Sequence, residues 1–409
     1  MRSLENFLQS MFKHPLFYGS FRLFFLLAAI FSIVFIIVWA AIWGQGINLP
    51  GQNWGIIVWH GHEMLFGLVL TSAYGFLFTV VPEFTETESL TPKQFFPIVI
   101  LWLLARIFIY IPGDAGSWIA AGTDLIILGI SLVIIIPRLV SPLGRTQSGF
   151  GLSLFLLFVI IIGYHTNVIL KQNPLSWLRL SVGLWMILII VSMSRISMRI
   201  INSALDLYPD NEKRYIARPP RRNFAIVCIT MYSLSEFFLG NVYIQGWFAL
   251  SAMASILFLL NDWHLGKVIF NRWVFLLYSV YWMMAIGYGL IAYSLFFDIS
   301  LLSSSKHILF IGAIGISILM VMIISSRSHT GLLLDERSWV PVAIASLVAA
   351  TVFRFWWGVT PNMFFFYISI FFWVLGYGMY LYYFFGILTK PRPDGLTDDS
   401  SPEEIDCRV

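Results

Sequence analysis

Apolar runs of about 20 residues, the length an α-helix needs to cross a bilayer, recur along this chain and leave little room for anything else. They fall at 21–43, 56–81, 95–111, 117–136, 149–170, 177–196, 223–240, 246–264, 273–297, 306–326, 339–357 and 363–388. Chain breakers such as Pro82, Pro112-Gly113, Pro137, Pro174 and Pro219-Pro220 lie in or beside the gaps, where chain reversals need them. Only 11% of the 409 residues are charged and 59% are hydrophobic, whereas a soluble domain carries about a quarter charged residues. The fold class expected is therefore all-α: a polytopic membrane helix bundle of about 12 transmembrane helices. It forms a single transmembrane domain over 1–390, in the lipid bilayer, followed by an acidic, polar tail at 391–409. A tail of that composition is expected to be disordered.

Loop charge sets the orientation. The gaps after the first, third, seventh and eleventh runs hold almost no lysine or arginine, while the alternate gaps hold Lys93, Arg138, Arg145, Lys267, Arg272, Arg327 and Arg337. The long connection at 198–222 alone carries Arg199, Lys213, Arg214, Arg218, Arg221 and Arg222. By the positive-inside rule both termini are expected to be cytoplasmic, and no cleavable signal is expected, since the first apolar run begins late and has full spanning length. Reporter fusions at Gly51 and Arg214 should report opposite sides of the membrane; the same side for both would overturn this topology. The net charge of +4 is spread through such loops, and no basic patch on a soluble domain suggests nucleic acid. The two cysteines, Cys228 and Cys407, build neither a disulfide framework nor a thiolate cluster, and no C-x-x-C-H motif is present to attach haem covalently.

Within this apolar setting, VWHGHEMLFG at 58–67 stands out, because ionisable residues in a membrane span are expensive and mark functional sites. The topology places His60, His62, His165 and His307 towards the outer end of the bundle, with Glu63, Arg106, Asp124, Arg179, Glu236 and Arg354 at similar depth. Imidazole is the commonest protein ligand for metals, so these four histidines are the candidate metal ligands. Arg106 and Arg354 suit the propionates of a haem, while Arg106 has the alternative of an ion pair with Asp124. Residues two apart on a helix point in different directions, so His60 and His62 have different tasks. Glu63 shares a face with His60, which makes it either a brace for a liganding imidazole or a proton carrier; Glu236 is a second candidate for proton transfer. Six helices on either side of the 198–222 loop also fit a twelve-helix transporter with a polar outer vestibule.

The motifs resemble a known family. WHGHEMLFG followed by YGFLFTVVP is similar to the signature of the NnrS family. FRLFFLLAA at 21–29, LWLLARI ending near Arg106, KHILFIGAIG with His307, and SHTG with His329 resemble its further segments. The resemblance implies a bacterial inner-membrane protein linked to nitric oxide and denitrification, holding haem b, with copper as a further metal. Nitric oxide is then the expected small-molecule ligand, for reduction or for protection against nitrosative stress. No electron donor is indicated.

Overall fold

The computed structural model describes residues 2–47, 55–141, 144–207 and 214–398. Among them every regular element is helical, as lipid demands, because a helix satisfies its backbone polar groups within one segment. The helices are α1 (Arg2–Met11), α2 (Ser20–Gln45), α3 (Ile56–His62), α4 (Leu70–Thr85), α5 (Pro92–Phe108), α6 (Gly113–Val140), α7 (Ser148–Ile169) and α8 (Leu175–Leu205). They continue as α9 (Pro219–Phe238), α10 (Val242–Leu260), α11 (Arg272–Phe296), α12 (Leu302–His307), α13 (Ile316–His329), α14 (Trp339–Val359) and α15 (Met363–Thr389). Two wider, π-helical stretches, Glu63–Val69 and Ile308–Gly315, join α3 to α4 and α12 to α13.

Each of the twelve apolar runs is thus helical, and ten helices among the described residues are long and apolar enough to cross a membrane. The chain is a multi-pass all-α membrane protein. The two helices outside that ten have local reasons: α5 has only 17 residues, and α9 opens on Pro219-Pro220-Arg221-Arg222. Capping follows the sequence. Thr91 and Gln94 form a reciprocal capping box at the start of α5, and Gly46, at φ +68°, turns the chain out of α2. Intramembrane hydroxyls such as Thr71, Ser72 and Ser131 donate to carbonyls one turn back, so they need no outside partner.

The helices group into two compact units. The first holds the chain to Leu178, Val321–Leu332 and the segment from Tyr380; the second holds Arg179–Met320 and Leu333–Met379.

In the first unit the FRLFFLLAA and YGFLF segments pack on each other. Phe24 meets the rings of Tyr74 and Phe78, and a Cβ on Gly75 would lie 2.6 Å from the Phe25 ring. Glycine is required there by close approach. The described part of the tail is held against this unit. Arg22, wholly buried, donates from Nε and Nη2 to the Asp398 carboxylate at 2.5 and 2.8 Å. Its Nη1 donates to the carbonyls of Leu388 and Lys390 at 3.0 and 2.7 Å. Arg392 donates to Asp394 and to the backbone carbonyls of His329 and Thr397. Gly331, at φ +70°, leaves room for that guanidinium. The Arg392 partner holds the Asp394 carboxyl down at about 2. Residues 399–409, the rest of the expected disordered tail, lie outside the described residues.

In the second unit Tyr215 ties the start of α9 to α8: its backbone N–H donates to Asn202 Oδ1 at 2.8 Å and its carbonyl accepts from Asn202 Nδ2.

Candidate metal centre

Four helical segments of the first unit bring one polar cluster together. His62 ends α3, Glu63 begins the π-helical stretch, Asp124 lies on α6 and His165 on α7. His62 Nε2 and His165 Nε2 both face Asp124 Oδ2, at 2.8 and 3.0 Å. His62 Nδ1 faces Glu63 Oε1 at 2.8 Å. Arg106, from α5, donates to Glu63 Oε1 at 2.9 Å and to Asp124 Oδ1 at 3.4 Å. The side chains of His62, Glu63, Asp124 and His165 are only 1% to 7% exposed.

Charge decides how such a cluster survives burial. Ionised carboxylates only accept hydrogen bonds, so each bond between the His62 ring and these acids is donated by a ring nitrogen, and whichever nitrogen takes a metal gives up its proton. The two carboxylates share the Arg106 guanidinium and the His62 ring as partners. An isolated buried charge would cost several kcal/mol.

Local sequence builds the room. A Cβ on Gly67 would lie 2.7 Å from Arg106 Nη1 and 2.9 Å from the Phe31 ring, so the glycine of HEMLFG lets the guanidinium reach Glu63. The Gly67 carbonyl accepts instead from Thr71 Oγ1 and Trp102 Nε1. π-Helical turns inside helices recur at functional sites, and this one starts at Glu63.

The donor set suits one metal ion. One ligand atom each from His62, Asp124 and His165 lie within 4.8 Å of one another. Two imidazoles and a carboxylate form a familiar set for first-row transition metals, leaving coordination positions open. The same cluster does not suit a haem. The Tyr164 ring stacks on His62 at 5.3 Å and Phe66 meets it edge-on at 5.4 Å. The adjoining His165 ring meets His62 edge-on at 5.8 Å, so aromatic rings pack His62 on several sides.

The other expected site residues divide. His60 turns its ring against Trp39, with centroids 3.9 Å apart, and against Phe35. Glu63 braces His62, the adjacent residue, rather than serving His60 as the helical spacing suggested, and the start of the π-helical turn at Glu63 changes the face it presents. His307 and Arg354 belong to the second unit. Nδ1 of His307 faces the Ser303 carbonyl at 2.7 Å and Nε2 faces Arg354 Nη2 at 3.3 Å. Both ring nitrogens of His307 are thus engaged, Nδ1 by the Ser303 carbonyl and Nε2 by the Arg354 guanidinium. Glu236, also in the second unit, is ion-paired with Lys306.

Sequence reasoning placed Asp124 beside Arg106 but left it out of the ligand set. Its signal was available: it is an acid in the middle of an otherwise apolar span, at the depth of the histidines. Lys306 as the partner of Glu236, and both π-helical stretches, carried no such signal.

No curated protein sequence matches the chain. The family model described as NnrS protein matches residues 15–392 of the 409, and this chain is therefore a member of the NnrS family, a nitric-oxide-related family of membrane proteins.

Proposed function

We propose that this protein holds one first-row transition ion, copper or non-haem iron, between His62, Asp124 and His165 and uses it to bind nitric oxide at the bacterial inner membrane. The buried two-histidine, one-carboxylate cluster carries this reading, and family membership supplies the diatomic ligand. A bound ion of this kind offers open coordination positions to a small neutral molecule.

The chain's own residues prepare that site. Asp124 orients both imidazoles through one oxygen. Glu63 accepts from His62 Nδ1 and so fixes which nitrogen is offered to the ion, the usual arrangement for metal-bound histidine. Arg106 donates to both carboxylates and offsets one of their two charges. Glu63 is a positioning residue in this account; its oxygen already accepts from His62 and Arg106, and it is 2% exposed. Haem b, which the family resemblance implies, enters the proposal without an assigned residue, and an absorption spectrum of the purified protein reports on it directly.

The test is nitric oxide binding by purified protein loaded with copper or iron, followed by electron paramagnetic resonance. The expected result is a nitric-oxide-dependent spectrum at one site per chain that disappears in His165→Ala. A metal-loaded protein whose spectrum ignores nitric oxide would overturn the reading.

A further inference from the structure

The second unit contains a cation whose partners do not neutralise it. Arg354 lies on α14, near the end that the loop charges place outside. Nη1 donates to Ser304 Oγ at 3.5 Å and Nη2 to His307 Nε2 at 3.3 Å. The Ser303 carbonyl can only accept, so the His307 proton sits on Nδ1 and Nε2 is an uncharged acceptor. The indole of Trp357 covers one face of the guanidinium, 4.5 Å from Cζ. Among the described residues no carboxylate pairs with Arg354; Glu236, on α9, is paired with Lys306. The neighbouring helices are fixed closely, since a Cβ on Gly358 would collide with Ser304 Oγ.

A guanidinium in a membrane protein with only neutral partners lacks its counter-ion. It has five N–H donors, and the two hydrogen bonds above leave three for something else. The Trp357 face restricts approach to the guanidinium plane, where a two-oxygen group docks through two parallel hydrogen bonds. We infer that Arg354, with Ser304 and His307, forms a binding site for a small planar oxyanion of the nitrite or formate type. The site goes beyond the nitric oxide reading and does not depend on a metal in the first unit.

Calorimetric titration of the purified chain, in neutral detergent at constant ionic strength, with sodium nitrite and then sodium formate tests this. Saturable binding of one anion per chain is expected, weakened at least about tenfold in Arg354→Gln, the scale of a lost charge-assisted pair. Arg354→Lys keeps the charge but not the fork, so it should also weaken binding; it serves if the glutamine variant does not fold. Asp124→Ala should bind as the unaltered protein does, which separates this site from the metal centre. Absence of saturable binding, or equal affinity in the Arg354 variants, overturns the inference. So does loss of binding when phosphatidylglycerol nanodiscs replace detergent, because the occupant is then a lipid headgroup.

Discussion

Asp124→Ala is expected to abolish metal retention, with affinity falling by more than about a hundredfold. Removing a hydrogen-bond partner of a ligand typically costs about 10- to 100-fold, and Asp124 is itself in the ligand set. Its Oδ2 is the one atom that both His62 Nε2 and His165 Nε2 face, so its loss also frees both rings to turn. Glu63→Gln should be much milder. The amide oxygen can still accept from His62 Nδ1, and a loss near tenfold is expected, with any nitric oxide signal reduced in step. Metal content per chain after purification, measured for both variants beside the unaltered protein, gives the ranking. A Glu63→Gln protein that keeps its metal and nitric oxide binding, yet loses nitric oxide consumption about a hundredfold, would instead make Glu63 a proton carrier.

Arg22→Ala should destabilise the first unit by about 3–5 kcal/mol, the range for stranding one partner of a buried ion pair. Four acceptors lose their donor together: the Asp398 carboxylate, the Ile387 and Leu388 carbonyls in the last turn of α15, and the Lys390 carbonyl beyond it. Terminal helix carbonyls have no intrahelical partner, so Arg22 acts as a C-terminal cap from another helix. The expected outcome is a lowered thermal midpoint together with rapid protease cleavage between Lys390 and Asp398. Asp398→Asn, which leaves every Arg22 contact to a carbonyl intact, should show a smaller effect. An unchanged midpoint in Arg22→Ala would show that the tail clasp contributes nothing to the fold.

Arg22 also illustrates what the sequence could and could not tell. Its place in the FRLFFLLAA motif was legible, and so were the helices, because the spanning length and the 3.6-residue turn leave few choices for runs this apolar. Its partner was not legible. Asp398 lies 376 residues away in a segment whose composition reads as solvated and unstructured, and only tertiary proximity turns it into an anchor. The metal centre divides in the same way. His62 and His165 could be picked out because a histidine in lipid is expensive, and the loop charges put them at one depth. Which histidines meet is a matter of helix rotation: His60 and His62 are two residues apart, and the structure sends the first to Trp39 and the second to Asp124. Hydrophobic periodicity is nearly silent on rotation in helices that are apolar all round. The π-helical turn at Glu63 adds a local shift of phase that no regular template anticipates.

The most direct test of the account is the metal content of the purified chain beside that of a variant combining His62→Ala, Asp124→Ala and His165→Ala. The prediction is one equivalent of copper or iron in the unaltered protein and none at that stoichiometry in the variant, with both proteins inserted and folded. A variant that retains the full equivalent would contradict the assignment of the ion to these three residues.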